Sequence, residues 1–393
     1  MKSLSLMALV AILSILASAC GTQAPSYACT DRLGCISVGS NENIKIGALF
    51  TLTTPDAPYG IDALRGVEIA VSDKGKLAGH GMEIVKADDL CSPEGGASGA
   101  NQLAADPKIV GVVGATCSGA ALSASRILSG IGSVLISPSS TAPSLTDPGT
   151  HDAGFMRTIY NDKAQGQAVA QFAFNVLGSQ KMITIQDGSP YSQQLQAAAC
   201  DTFKQLGGQC VQQIQISPDQ DVTPVLQAAA QLNPDVLFYP IYATDGAAIT
   251  NAAAAAGLKN AVLMSSDGLL SSDFVRQTEP ASEGMYLSGP ASTKESQDFL
   301  QKYQSRYGEA PIASYHLQGY DAAMMLFAAV EKVAVNSGGT TFIPRQALRD
   351  ALYSTHGMQG LSGVLTCSPT GDCAQPNISI FQVVNSEFKE IYP

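Results

Sequence analysis

The chain has 393 residues, of which 45% are hydrophobic and 14% charged, and its net charge is −11 at neutral pH. This balance is typical of a folded globular protein and excludes a disordered one, and the length allows two or three domains. Because the 22 lysines and arginines form no cluster, the composition also argues against a nucleic-acid partner.

The first twenty residues form a separate segment. A lysine precedes an apolar run from Leu4 to Leu16, and small residues follow before Cys20. This pattern predicts a signal peptide over residues 1–19, too short for a membrane-spanning helix. The cysteine after the small residues resembles a bacterial lipoprotein signal, in which Cys20 becomes lipidated; an ordinary cleaved signal is the alternative. We expect an exported protein, periplasmic or at the cell surface, anchored in the membrane through Cys20 and a tether over residues 20–43.

The cysteines point to disulfide bonds, since export places the chain in an oxidising compartment. Eight cysteines remain besides Cys20, and eight permit 105 pairings. No C-x-x-C motif occurs and the chain has only four histidines, so we expect no metal site. Spacing favours pairing between sequential neighbours: Cys29 with Cys35, Cys91 with Cys117, Cys200 with Cys210, and Cys367 with Cys373.

Short apolar strand candidates alternate with helix candidates from residue 44 onward. The first series includes Ile44–Phe50 and Ser133–Ser137, and a second series includes Lys181–Gln186. Such alternation predicts parallel sheets covered by helices on both faces. Two series therefore predict two doubly wound α/β lobes. The C-terminal tail predicts a hairpin-like pair of strands around Asn385 and Ser386.

Candidate binding residues follow the strand candidates, because open parallel sheets bind ligands beyond the carboxyl ends of their strands. The turn Thr-Cys-Ser-Gly at 116–119 lies between a strand candidate and a helix candidate. The start of a helix offers N–H groups and Ser118 adds a hydroxyl, which together can hold a carboxylate. Ser139 and Thr141 follow the next strand candidate in the same way. Helix capping is the alternative role of these hydroxyls.

The same positions give little support to catalysis. Neither Cys117 nor Ser118 has the flanking glycines of a nucleophile elbow. None of the four histidines follows a strand candidate, where the base of a nucleophile would be expected. The glycine patterns that bind phosphate or dinucleotides are also lacking. We therefore expect a binding protein that is not an enzyme and that needs no cofactor.

Several segments resemble the leucine/isoleucine/valine-binding protein family, the type I periplasmic solute receptors of branched-chain amino-acid ABC importers. They include "KIVGVVGATCSGAALSAS", "VLISPSSTAPSLTD" and "FMRTIYNDKAQGQAVAQF", and they occur in the family's order. The resemblance implies two doubly wound parallel-sheet lobes joined by a three-crossover hinge, the periplasmic binding protein type I fold. Lobe 1 would comprise residues 44–160 and 286–365, and lobe 2 residues 161–285 and 366–393.

The resemblance also implies roles for individual residues. Ser118, Ser139 and Thr141 match residues that bind the α-carboxylate and ammonium of the ligand. Asp267 matches the acid of the other lobe that pairs with the ammonium, although a turn position would also explain it. Cys91 and Cys117 match a disulfide beside the pocket. The aromatic residues that match side chains covering the ligand, with packing as the alternative, are Tyr59, Tyr191, Tyr242 and, more weakly, Tyr315.

Two departures from the family bear on specificity. Thr116 replaces an apolar residue, and Cys367-Ser368 replace a pair in the last motif. We expect a monomeric, lipid-anchored protein that captures a small molecule, a branched-chain or similar amino acid, and delivers it to the membrane permease of an ABC importer. The alternatives are a receptor for an amide, urea or an aromatic or other organic acid, and a ligand-sensing subunit of a signalling system.

Overall fold

The structure is a computed structural model that describes residues 27–218, 220–293 and 296–392. The predicted signal peptide and Cys20 lie outside the described residues. Among the helices of the described part, none combines the length and the apolar character needed to cross a membrane.

Strands and helices alternate along most of the described chain. The strands are β1 (Cys35–Gly39), β2 (Ile44–Phe50), β3 (Met82–Asp88), β4 (Ile109–Gly114), β5 (Leu135–Ser137), β6 (Phe155–Arg157), β7 (Lys181–Gln186), β8 (Gln209–Gln215), β9 (Val236–Phe238), β10 (Val262–Ser265), β11 (Tyr286–Pro290), β12 (Val335–Ser337), β13 (Thr340–Pro344), β14 (Met358–Gln359), β15 (Val364–Leu365), β16 (Ile378–Val384) and β17 (Glu387–Tyr392). The α-helices are α1 (Ala57–Lys74), α2 (Pro93–Ala104), α3 (Ser118–Gly130), α4 (Asp162–Gln171), α5 (Pro190–Gln205), α6 (Thr223–Ala230), α7 (Ala243–Ala253), α8 (Ser272–Thr278), α9 (Ser296–Tyr307), α10 (His316–Val333) and α11 (Arg345–Tyr353).

Lobe 1 is built on a five-stranded parallel sheet with the order β3-β2-β4-β5-β6. All six residues of β4 are buried, as expected when helices cover both faces of a parallel sheet. Helices α1 and α10 pack on one face and α2 and α3 on the other, and each face has its own apolar core. Because the five strands are parallel, their carboxyl ends all lie along one edge of the sheet.

Lobe 2 is built on a seven-stranded sheet with the order β17-β16-β11-β10-β9-β7-β8. Strands β7 to β11 are parallel, and β16 and β17 add an antiparallel hairpin to one edge. The turn residues Asn385 and Ser386 have positive φ angles of 54° and 63°, as a type I′ hairpin turn requires. The predicted fold class of two doubly wound α/β lobes is thus confirmed.

The described chain changes lobe at three places, two of which lie later than the boundaries expected from sequence. It passes from β6 to α4, from β11 to α9, and from Ala374 to β16. Strand β11 belongs to the lobe 2 sheet, although residues 286–290 were assigned to lobe 1. Leu365 and Cys373 both pack in the lobe 1 core, so lobe 1 continues past residue 365. Strand periodicity identifies β11 as a strand but does not say which sheet it joins.

The predicted tether is also partly ordered within lobe 1. Strand β1 pairs antiparallel with β13, and Ile36 and Val38 are buried in the lobe 1 core. The carboxylate of Asp31 accepts hydrogen bonds from Gln346 N and Ala347 N at the start of α11. This strand is only five residues long and its partner lies about 300 residues away, so local periodicity could not identify it.

Candidate functional site

Residues from both lobes line one small cavity between them. The cavity encloses about 20 Å³, close to the space that one water molecule needs. A ligand larger than a water molecule could enter only if the lobes separated. The lining residues are Tyr59, Thr116, Cys117, Ser118, Ser139 and Tyr315 from lobe 1 and Tyr191, Tyr242 and Gly268 from lobe 2.

Six of the eight predicted ligand-binding residues are part of this lining, and the other two lie directly behind it. Asp267 precedes the lining residue Gly268 and bonds to the hydroxyls of two lining tyrosines. Thr141 lies two residues after Ser139 and is 1% exposed. The fold therefore brings all eight residues together, and their contact with a ligand stays a prediction.

The start of α3 forms one wall of the cavity. Strand β4 ends at Gly114, Cys117 has extended backbone angles, and the helix begins at Ser118. The first N–H groups of a helix have no partner within the helix, and the helix dipole makes them favourable to an anion. Ser118 Oγ accepts a hydrogen bond from Ala142 N at 3.2 Å, which ties the loop after β5 to the same point. This wall suits a carboxylate.

The loop after β5 adds two hydroxyls that differ in their remaining capacity for hydrogen bonds. Ser139 Oγ donates to Thr116 O at 2.8 Å, so it can only accept a hydrogen bond from a ligand. Thr141 Oγ1 is buried and has no hydrogen-bond partner among the described residues. Since buried polar atoms are normally hydrogen-bonded, the Thr141 hydroxyl retains the capacity to bond a ligand.

Asp267 supplies the negative charge of the lobe 2 wall. Its Oδ1 accepts hydrogen bonds from Tyr191 OH at 2.7 Å and Gln165 Nε2 at 3.0 Å, and Oδ2 accepts one from Tyr315 OH at 3.0 Å. Burial raises the pKa of this carboxyl, and the hydrogen bonds from Tyr191, Gln165 and Tyr315 oppose the rise. A ligand ammonium at this point would supply the missing countercharge.

Direct hydrogen bonds join the two lobes around the cavity. Tyr59 OH donates to Gly268 O at 2.6 Å, and Asp56 Oδ1 accepts from Ala243 N at 3.1 Å. Tyr315, at the start of α10 in lobe 1, reaches Asp267 in lobe 2. Two of these three contacts between the lobes therefore involve residues that line the cavity.

Sequence reasoning missed Asp162, which lies beside Asp267 at the first crossover. Asp162 is 0% exposed, and no hydrogen bond within the described residues reaches either of its carboxylate oxygens. The Thr141 hydroxyl lies close to this carboxylate. Burial raises the pKa of the Asp162 carboxyl well above its usual range, and the negative charge of Asp267 adds to this.

The surroundings of Asp162 do not neutralise it. Arg157 is the nearby cation, but its guanidinium already binds Asp372 and the carbonyl oxygens of Ser140 and Ala142. An acid in the first turn of a helix is usually explained by the helix dipole, which is why the sequence alone did not single it out. The sequence signal that could have identified Asp162 was its position at a predicted crossover between the lobes.

All four disulfides form as predicted, and one of them is part of the site. Cys91 joins Cys117, which lines the cavity. The other three pairs are Cys29 with Cys35, Cys200 with Cys210, and Cys367 with Cys373. Since its sulfur is held in a disulfide, Cys117 is not a free thiol nucleophile.

The groups around the cavity suit binding better than catalysis. Within the described residues, no histidine lines the cavity and no group of three or more acidic, histidine or cysteine side chains could hold a metal ion. Hydroxyls, helix N–H groups and carboxylates held between two lobes define the class of two-lobed solute receptors that enclose a small ligand.

Comparison with known proteins gives the family. The chain belongs to the periplasmic binding protein family, whose model matches residues 43–387. This family is one of exported periplasmic proteins that bind solutes. Relatives include a Leu/Ile/Val-binding protein of Escherichia coli K12, 30% identical over 65% of this chain and 71% of its own length. A Leu/Ile/Val-binding protein homologue of Brucella melitensis is 25% identical over 86% of this chain and 91% of its own length.

Solved structures share the fold. A leucine-binding protein from Thermotoga maritima superposes with a TM-score of 0.80 at 24% identity, covering 88% of this chain and 97% of its own. A solute-binding protein from R. palustris, solved in complex with benzoate, gives 0.78 at 23% identity, covering 89% and 96%. These chains establish the architecture, and their ligands differ in charge.

Proposed function

We propose that this protein captures an α-amino acid between its two lobes and delivers it to the permease of an ABC importer. The observation that carries the proposal is that one wall of the cavity suits an anion and the opposite wall suits a cation. The start of α3 on lobe 1 suits a carboxylate, and the buried Asp267 on lobe 2 suits an ammonium. An amino acid carries both groups on one carbon, so it can bridge the lobes.

Closure of the lobes would follow from this bridge. A ligand stabilises the state to which it binds more tightly. The carboxylate and ammonium sites lie on different lobes, so both are engaged only when the lobes approach each other. Hinge closure of this kind is a general way in which two-lobed receptors enclose ligands.

The organic-acid alternative has one observation in its favour, the benzoate complex of the R. palustris protein. Benzoate has a carboxylate and no ammonium. Here, an anion without an ammonium would leave Asp267 and the unpartnered Asp162 uncompensated, since both are fully buried. Burying an unpaired charge is costly, and we therefore favour an amino acid over an organic acid.

The membrane anchor is the other part of the proposal. Lipidation at Cys20 would attach the lipid seven positions before Tyr27, and seven residues of chain span at most about 25 Å. That segment is held against lobe 1 by β1 and by the Cys29–Cys35 disulfide. Lobe 1 would then stay close to the membrane and to the permease. Replacing Cys20 by alanine should move the protein from the membrane to the soluble fraction.

A thermal-shift screen tests the proposed function. The panel contains the twenty amino acids, small amides, urea and benzoate, and hits are titrated by calorimetry. We expect at least one amino acid to raise the melting temperature and to be recovered unchanged after incubation. Binding of benzoate or an amide with no response to any amino acid would replace the proposal by the organic-acid or amide alternative. Chemical conversion of the ligand would show an enzyme instead.

A further inference from the structure

Acidic residues lie close to the cavity, although none of them is part of its lining. Asp56 lies directly before α1 in lobe 1 and accepts the N–H of Ala243, the first residue of α7 in lobe 2. Burial raises the pKa of Asp56 to about 6, and the negative charges of Asp187, Asp245 and Asp89 add to the rise. The charged groups that act on Asp56 most strongly are thus all acids, and they come from both lobes.

Tyr242 connects this acidic group to the cavity. It lines the cavity, and burial raises the pKa of its hydroxyl well above the usual range, with Asp187 and Asp56 the next largest causes. Burial also raises the pKa of Tyr59 on the opposite wall, and the negative charges of Asp56 and Asp267 add to the rise. The two walls of the cavity therefore share a negative electrostatic environment.

Four tyrosine rings form the apolar part of the lining. Tyr191 and Tyr242 lie with ring centroids 5.2 Å apart and tilted by 33°. Tyr59 and Tyr315 lie 6.1 Å apart in an edge-to-face arrangement. The face of an aromatic ring attracts a cation, and boxes of such rings recognise ammonium groups. This observation is independent of the carboxylates and indicates the same ligand chemistry.

The rest of the lining contributes no aliphatic side chain. Besides the tyrosines it consists of three hydroxyl residues, a disulfide cysteine and a glycine, and within the described residues it includes no leucine, isoleucine, valine or phenylalanine. It also includes no lysine, arginine or histidine. A neutral amino acid would bring no positive charge to the neighbourhood of Asp56 and Asp187.

We infer that the ligand is an amino acid with a positively charged side chain, whose cation lies among the tyrosine rings and faces Asp56 and Asp187. This inference rests on the proposed function, since the α-carboxylate and α-ammonium would occupy the start of α3 and Asp267. The side chain then extends toward the mouth of the cleft, where Asp56 and Asp187 are only half-buried. A side chain longer than the cavity can be accommodated in that direction.

Calorimetric titration with ornithine and norleucine tests the inference, because these amino acids have the same length and differ by an ammonium in place of a methyl group. We expect ornithine to bind at least tenfold more tightly. Asp56→Asn and Asp187→Asn should each lower this ratio at least threefold. Asp201→Asn, which changes an exposed acid on α5, is the control and should leave the ratio unchanged. Melting temperatures verify that each variant is folded.

Three results would overturn the inference, and they are distinguishable. Norleucine or leucine binding as tightly as ornithine would refute the charged side chain and leave the amino-acid function in place. A preference for ornithine that both variants keep in full would refute the placement of the cation beside Asp56 and Asp187. Failure of ornithine, norleucine and all twenty amino acids to bind would refute the proposed function and this inference with it.

Discussion

Asp267, beside the cavity, is contacted by residues from three helices. Its carboxylate accepts hydrogen bonds from Gln165 of α4, Tyr191 of α5 and the Tyr315 hydroxyl at the start of α10. These donors fix the orientation of the carboxylate but bring no positive charge. The account therefore assigns the countercharge to the ligand.

Asp267→Asn should weaken amino-acid binding severely without unfolding the protein. Removing one member of a buried charge pair typically costs about 3–5 kcal/mol, or roughly two to three decades in affinity. Ser118→Ala should cost about 1–3 kcal/mol, because the N–H groups of α3 remain. Calorimetric titration of both variants measures these losses. Affinity within threefold of wild type for Asp267→Asn, at an unchanged melting temperature, would contradict the ammonium role.

Asp162→Asn should change stability and affinity in opposite directions. The wild-type carboxyl group is fully buried without a hydrogen-bond partner among the described residues, and its replacement removes the cost of either burying its charge or taking up a proton. We expect the melting temperature to rise by about 2 °C or more, while binding of the ligand ammonium weakens. Thermal denaturation and titration provide the two readouts. A lower melting temperature with unchanged affinity would show that Asp162 is a structural residue only.

At the scale of elements, the crossing of α1 and α10 positions Tyr315. A methyl group at Gly66 of α1 would collide with the carbonyl oxygen of His316, and one at Gly319 of α10 with that of Ala63. The backbones therefore approach each other as closely as glycine allows. Asp62 of α1 also accepts hydrogen bonds from Tyr315 N and His316 N at the start of α10. The crossing thus sets how far Tyr315 reaches toward Asp267.

Gly66→Ala should lower both the melting temperature and the affinity for ligand. The added methyl group must push α10 away from α1, and overpacking of this kind typically costs about 1–3 kcal/mol. Gly130→Ala is the matched control, since a methyl group there meets no atom within 4 Å. Denaturation and titration of both variants decide the matter. Equal behaviour of the two alanine variants would show that the close helix crossing does not position Tyr315.

The sequence was sufficient to predict the elements that repeat and the residues that follow them. Strands such as Ile44–Phe50 are buried apolar runs bounded by turns, so their position can be read locally, and Ser118 and Ser139 follow from the strand-end rule. Sheet membership cannot be read locally, because it depends on partners far along the chain. For this reason local patterns place β1 in the tether and β11 in lobe 1, whereas β1 belongs to lobe 1 and β11 to the sheet of lobe 2.

The acids were predicted less completely than the hydroxyls. Asp267 was singled out through the family resemblance, whereas Asp56 and Asp162 have ordinary local explanations at helix starts. What distinguishes them is the contact of Asp56 with Ala243 of the other lobe and the complete burial of Asp162, which only the folded structure shows. Thr116, which replaces an apolar residue of the family, is part of the lining.

At the scale of the whole molecule, closure should depend on pH through Asp56. In the closed structure its pKa is raised to about 6 by burial and by Asp187, Asp245 and Asp89, and separation of the lobes would return it toward its ordinary value near 3.9. The closed state then binds the proton more tightly. Its stabilisation is fully present below about pH 4 and is lost as pH rises through about 6.

Binding of a neutral amino acid such as norleucine should therefore weaken about tenfold between pH 4.5 and pH 7.5. Binding of ornithine should weaken less, because its side-chain charge compensates the ionised Asp56. The ratio of the two affinities should increase with pH, and Asp56→Asn should flatten the norleucine profile. A norleucine affinity that is constant over this range in the wild type, or unchanged in its pH profile by Asp56→Asn, would contradict the assignment.

One calorimetric series tests the central claim that an amino acid bridges the two lobes through both of its α-groups. The series compares ornithine with 5-aminopentanoate, which lacks the α-ammonium, and with putrescine, which lacks the α-carboxylate; leucine, 4-methylpentanoate and isopentylamine form the parallel neutral set. The account predicts that removing either α-group lowers affinity at least a hundredfold in whichever set binds. A compound that lacks one α-group and still binds within threefold of its parent amino acid would contradict the account.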